Sequence, residues 1–279
     1  MTANETSGVP DVSDRSLASL ISLEGRAAVI TGGAQGIGFA IAKRFVEAGA
    51  KVMLADLNSE RVCTAAQSLS RDGEDPVVAE VVDVTDSDAV SGLADAALHQ
   101  LGGLDIWVNN AGAYPTTHLL EMDDEHWDRV LDLNLRGTFV GSREAARRMV
   151  AGGRGGVIIN MSSTAGYRAF APGLSHYTTS KHAIRGLTKS LAVELGPHQI
   201  RAYALAPTLI VTEGIAESRA DHEASGLADN HQDELRDTHP LRRLGVPDDV
   251  ARVALFCASD LALFMSGCTL PVDAGLLAV

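Results

Sequence analysis

The chain has 279 residues, 46% of them hydrophobic, enough to fill the core of one large domain or two small ones, and one α/β domain is the economical expectation. Its 23 Lys and Arg against 36 Asp and Glu leave a formal charge of −13, which argues against a nucleic-acid backbone or an anionic membrane surface as the main partner. Cys63, Cys257 and Cys268 are widely separated and lack CxxC spacing, and no apolar run reaches the roughly 18 to 20 residues that cross a bilayer, so a soluble, cytoplasmic protein without a disulfide or zinc framework is expected.

Residues 1 to about 20, Met1 to Leu20, are polar and without a sustained period, and are expected to be a mobile leader ahead of a single domain over 21–279. From Arg26 onward, short apolar runs alternate with amphipathic segments. Strands are expected at Ala27–Ile30, Lys51–Ala55, Val77–Val82, Asp105–Val108, Gly156–Asn160 and Ile200–Ala206, and helices at about 36–48, 59–71, 86–101, 124–150 and 177–195. A helix near 247–258 and a strand near 268–272 close the chain. This alternation implies right-handed βαβ crossovers and an α/β fold, with one parallel sheet of about seven strands covered by helices on both faces.

The turn after the first strand reads Thr31-Gly32-Gly33-Ala34-Gln35-Gly36-Ile37-Gly38 and opens a helix. A pyrophosphate needs backbone N–H groups at a helix N-terminus, and glycines allow the tight turn and the close approach. Gly32, Gly36 and Gly38, with Gln35 and Ile37 between them, are therefore assigned to a dinucleotide. Asp56 ends the next strand, where a carboxylate accepts hydrogen bonds from the adenosine ribose and repels a 2′-phosphate, so NAD is expected over NADP. Asp83, followed by Val84, ends the third strand and is placed at the adenine edge. Tyr177 and Lys181 stand four apart, one helical turn, so that the ammonium is expected to draw the phenol's pKa down toward proton exchange with an alcohol or ketone.

Together these residues resemble the short-chain dehydrogenase/reductase family over roughly Leu23 to Gly275. Thr31 to Gly38 matches the family's TGxxxGxG, Asn109-Asn110-Ala111-Gly112 its NNAG, and Tyr177 to Lys181 its YxxxK. The resemblance implies a Rossmann-type doubly wound sheet and an NAD-dependent secondary-alcohol dehydrogenase or ketone reductase. It implies that Asn110, Ala111 and Gly112 line the adenosine side of the cofactor, and that Pro207, Ile210 and Thr212 meet its nicotinamide end. Tyr177 would be the general acid or base and Lys181 would lower its pKa and grip the nicotinamide ribose. Asn134 would fix a water linking Lys181 to solvent. Ser163, chosen over its neighbour Ser162, would hold the substrate oxygen. A homotetramer built on helices 124–150 and 177–195 and the last strand is also implied.

Three positions depart from the family pattern: Thr208 replaces the glycine of a Pro-Gly turn, Tyr203 a small polar residue, and Ala274 a glycine of a VDGG ending. None removes a catalytic group. Tyr114, Tyr167, Phe170, Leu174 and Ile215 are expected to line an apolar substrate site suited to a cyclic or aromatic alcohol, under a lid at about 212–240. His222, His231 and His239 in that lid are read as solvated, and no metal is expected. Two other readings stay open on the sequence: a non-catalytic NAD-binding regulator or scaffold, and a lyase or epimerase that keeps its NAD.

Overall fold

Seven strands in the order β3-β2-β1-β4-β5-β6-β7, all parallel, form one sheet in the computed structural model, which describes residues 9–70, 77–212 and 236–279. They are β1 (Ala27–Thr31), β2 (Lys51–Asp56), β3 (Val78–Val81), β4 (Ile106–Asn109), β5 (Gly156–Met161), β6 (Ile200–Pro207) and β7 (Thr269–Val272). The order reverses between β1 and β4, so a crevice opens beyond their carboxyl ends, the place where doubly wound sheets bind ligands. The helices are α1 (Leu17–Ile21), α2 (Gly36–Glu47), α3 (Ser59–Leu69), α4 (Ser87–Leu101), α5 (Asp124–Leu131), α6 (Gly137–Gly152), α7 (Ser175–Leu195) and α8 (Pro247–Ala258). Among the described residues, no helix is long and apolar enough to cross a membrane.

Period-2 alternation divides the strands between two cores. Ala28, Ile30, Val52, Leu54, Ile106, Val108, Ile159 and Leu205 pack with Ile41 and Phe45 of α2 and Ala254 of α8. Val29, Met53, Trp107 and Ile158 face the other way, against Leu93 of α4 and Ala145 of α6. Each of the larger aliphatic and Phe side chains among them contributes about 1.5–3 kcal/mol relative to exposure. Tyr203 faces the α8 side, fully buried, because its hydroxyl has partners there: it accepts from Arg201 at 2.5 Å and reaches the carbonyl of Ala262 at 2.7 Å. Arg201 in turn donates to the Cys257 carbonyl at 2.8 Å, placing a cation at the negative end of α8.

The described part of the expected leader contains α1, whose Ser16 hydroxyl caps the Ser19 N–H, and Arg15 pairs with Asp260 at 2.5 Å. The helix expected over 124–150 runs without a gap but is not α-helical throughout. A π-helical turn, Asp132–Arg136, joins α5 to α6, and Asn134 sits in it. Such a turn widens the backbone by one residue and is frequent at functional sites.

Candidate active site

The glycine-rich turn lies at the crevice because three of its glycines cannot carry side chains. Gly32 (φ +62°) would bring a Cβ to 2.9 Å from Ala111 Cα, and a Cβ on Gly38 would lie 2.2 Å from the Gly32 carbonyl oxygen, while Gly36 adopts φ +58°. Asn110 locks the turn from the next loop, its Nδ2 donating to the Thr31 carbonyl at 3.1 Å and the Gly32 carbonyl at 2.9 Å. The resulting groove, about 380 Å³, is lined by Gly32, Gln35, Gly36, Ile37, Asp56, Asp83, Val84, Asn110, Ala111, Gly112 and Thr212. A cradle that a Cβ would fill, beside the first N–H groups of α2, fits the pyrophosphate of a dinucleotide. Asp56 is held at the groove by the Ala34 and Asn58 N–H groups at 3.2 and 3.1 Å. The Asp83 carboxylate accepts from both the N–H and the hydroxyl of Thr85, so it shapes its own turn as well as lining the groove. Gln35 accepts from the Arg61 guanidinium at 2.5 Å.

Farther along the crevice, α7 begins at Ser175, two residues before the expected start, which puts Tyr177 in its first turn and Lys181 one turn later. The Lys181 ammonium lies 5.5 Å from the Tyr177 ring centroid and donates to the Met161 carbonyl at 2.8 Å. Burial without a carboxylate partner lowers its pKa to about 8. Burial also dominates at Tyr177 and raises its pKa; the Ser163 hydrogen bond pulls it down, and Tyr114, whose ring meets that of Tyr177 edge-on at 6.0 Å, raises it further. The phenol is thus a neutral acid here, where the spacing alone points to a depressed pKa. Ser162 turns away, donating to the Lys181 carbonyl at 2.9 Å, while Ser163 faces Tyr177.

Asn134 is fully buried and clamps the loop after β4: its Oδ1 accepts from the Ala113 N–H at 2.9 Å and its Nδ2 donates to the Ala113 carbonyl at 2.8 Å. Below it a buried network joins sheet to helices. Asn109 takes the Trp107 indole N–H at 2.7 Å and donates to Asn160 at 2.8 Å, and Asn160 donates to Thr188 of α7 at 3.0 Å. Nothing in the sequence pattern marks this network beyond two asparagines, Asn109 and Asn160, at the ends of apolar runs.

A cavity of about 640 Å³ opens at this end of the crevice, with Ser163, Tyr177, Lys181, Pro207, Ile210 and Thr212 in its walls beside Tyr114, Phe170 and Leu174. Two expectations are corrected. Tyr167 does not line this cavity; its hydroxyl donates to the Thr269 carbonyl at 3.2 Å and the Arg185 guanidinium covers its ring at 3.5 Å, turning it toward β7. His239 is not a solvated lid residue. It is 2% exposed, lines the cavity and bonds the Thr208 hydroxyl at 2.9 Å. Arg168 and Leu276, which the sequence reading also missed, complete the wall. Ile215, His222, His231 and most of the expected lid lie outside the described residues.

The model of a family described as enoyl-(acyl carrier protein) reductase matches residues 32–277, spanning both motif-bearing ends of the crevice. The chain belongs to the short-chain dehydrogenase/reductase family. It is 38% identical to a 3-oxoacyl-[acyl-carrier-protein] reductase of Chlamydia muridarum, over 91% of this chain and 98% of that protein. It is 40% identical to a 3beta-hydroxysteroid dehydrogenase of Eggerthella lenta, over 91% and 95% of the two chains. A structure from Beutenbergia cavernae, assigned as an NAD(P) dependent gluconate 5-dehydrogenase and holding NADP at low occupancy, superposes with a TM-score of 0.82 at 34% identity, over 93% of this chain and 100% of that one. As a short-chain dehydrogenase/reductase, the protein is an oxidoreductase of a nicotinamide cofactor.

Proposed function

We propose that this oxidoreductase uses NAD to interconvert a secondary alcohol and its ketone, the substrate being an apolar cyclic or aromatic compound. The observation that carries the reading is Ser163 and Tyr177 set together in the wall of a largely apolar cavity that also presents Tyr114, Phe170, Leu174, Leu209 and Leu276. The bound nicotinamide supplies the hydride acceptor or donor. Ser163 donates to the substrate oxygen and fixes its position. Tyr177 takes the proton of the alcohol during oxidation, or gives one to the carbonyl oxygen during reduction. Lys181, buried beside the phenol, would favour the phenolate in the oxidative direction and hold the nicotinamide ribose. Excluding water from this pocket strengthens each of these interactions.

Asp56 supports NAD: its carboxylate is anchored where a 2′-phosphate would place a second negative charge. Among relatives the cofactor varies, as the NADP in the Beutenbergia cavernae structure illustrates. We also read the protein as a cytoplasmic homotetramer, supported by exposed apolar side chains on the two long helices, Phe139 and Val150 of α6 and Val193 of α7; light scattering that returned a monomer at micromolar concentration would contradict that assembly. The test of function is absorbance at the reduced-nicotinamide band with NAD or NADP and a panel of cyclic terpenoid, aryl, steroid and short aliphatic secondary alcohols. NAD-dependent turnover confined to ring-bearing members is expected. Silence across the panel with cofactor binding intact, or turnover with NADP alone, would contradict the reading.

A further inference from the structure

The cavity wall is largely apolar, and beside Lys181, Arg168 and Thr212 its polar groups include two pairs. One is the Ser163–Tyr177 pair that meets the reacting oxygen. The other is built by Thr208 and His239, both in the lining. The Thr208 backbone is fixed by its N–H, which donates to the Val272 carbonyl at 3.2 Å, and its hydroxyl lies 2.9 Å from His239 Nε2. His239 is 2% exposed and its other ring nitrogen is 3.3 Å from the Thr238 hydroxyl. The imidazole is therefore held from both sides and orients the Thr208 hydroxyl, which itself is only half-buried and reaches the cavity.

A hydroxyl has one donor and two acceptor sites, and the bond to His239 uses one of them. If His239 donates, the Thr208 O–H is free to donate into the cavity; if His239 accepts, the Thr208 lone pairs face it. In either tautomer one polar site remains on the cavity side. When an apolar substrate displaces water from the pocket, that site loses its partner, which is costly in an apolar surround unless the substrate brings a polar atom to it. A pocket that hydrogen-bonds a substrate hydroxyl discriminates strongly against the analogue that lacks it, whereas purely apolar walls discriminate weakly.

We propose that Thr208 contacts a second oxygen on the substrate, a hydroxyl or carbonyl remote from the reacting carbon, with His239 as the positioning residue that orients the Thr208 hydroxyl. This deepens the proposed function and rests on it: the substrate is then an apolar ring compound oxygenated at two places. The glycine usual at position 208 could supply no such group.

The test compares decalone with a set of its monohydroxy derivatives, the hydroxyl moved around the second ring, as ketone substrates for the full-length wild type and the variants Thr208→Val, His239→Leu and His239→Gln. Wild type is expected to favour at least one hydroxydecalone over decalone in kcat/KM by roughly tenfold or more. Thr208→Val, which keeps the shape and removes the hydroxyl, should cut that ratio by about tenfold, chiefly through KM for the hydroxylated ketone, without raising KM for the nicotinamide. His239→Leu should resemble it, and His239→Gln, whose amide can still bond Thr208, should recover part of the preference. A uniform loss on both ketones, a rise in cofactor KM, or a wild type that turns over every decalone equally would overturn this inference and leave the proposed function standing. Turnover of no ketone at all by the wild type would overturn both.

Discussion

Burying the Lys181 ammonium destabilises the fold, and the size of that effect follows from its surroundings. The side chain is 5% exposed, makes one bond from Nζ to the Met161 carbonyl, and its pKa falls from 10.5 to about 8 because burial penalises the charged form. A drop of this size corresponds to roughly 3 kcal/mol, at about 1.4 kcal/mol per pKa unit. Lys181→Met keeps the length of the side chain and removes the charge, but it strands the Met161 carbonyl, which costs about 1 kcal/mol. The variant is therefore expected to be more stable than wild type by about 2 kcal/mol at pH 7, while losing turnover. The pH dependence gives the argument its sign. Between about pH 8 and 10.5 the unfolded chain holds a proton at Lys181 that the folded chain has released, so wild-type stability rises with pH across that window. Below about pH 8 the penalty is fully present; above 10.5 it is gone. Urea unfolding of both proteins without cofactor, at matched protomer concentration and at several pH values from 7 to 11, reads the difference directly. A variant less stable than wild type at pH 7, or a gap that stays constant between pH 8 and 10.5, would refute the reasoning.

Three further outcomes are expected. Asp56→Asn removes the charge while keeping the hydrogen-bonded shape, and should raise kcat/KM for NADP by about tenfold relative to NAD; an unchanged ratio in steady-state assays would detach Asp56 from cofactor choice. Asn160→Leu takes one partner from the Asn109 amide and one from the Thr188 hydroxyl, leaving them the Ser142 hydroxyl and the Ile184 carbonyl, and should lower stability by about 1–3 kcal/mol in denaturant titrations; no measurable loss would mean the network is dispensable. Ala274 holds φ +51°, a region that costs a residue with a Cβ about 1–2 kcal/mol, so Ala274→Gly should raise the thermal midpoint slightly, a lower midpoint being the contrary result.

Much of the architecture was legible because burial on both faces makes each strand a short apolar run, as at Ala27–Thr31 and Ile200–Pro207, and because the helices between them are amphipathic. The glycine-rich turn was legible for a backbone reason, since positive φ and a 2.2 Å approach admit no other residue type. What escaped was tertiary. Asp132-Leu133-Asn134-Leu135-Arg136 has no Gly or Pro to mark the π-helical turn; the widening appears only with Ala113 of a distant loop on the Asn134 amide. His239 sits among polar neighbours in sequence, so it reads as solvated, yet Thr208 at the end of β6 buries it. Tyr167 reads as a pocket aromatic until Arg185 of α7 is seen stacked on it. The direction of the Tyr177 pKa is tertiary for the same reason: spacing reports the neighbouring ammonium, and only the packed structure reports the burial that raises the phenol's pKa.

The central claim is that Tyr177 moves the proton while hydride passes between NAD and a secondary alcohol. Tyr177→Phe keeps the ring against Tyr114 and removes only the hydroxyl. Measured side by side, NAD affinity by fluorescence titration and turnover of the best alcohol by absorbance, the variant should bind NAD within about threefold of wild type and lose at least ~10³-fold in kcat. Retention of more than about a tenth of wild-type kcat would contradict the assignment.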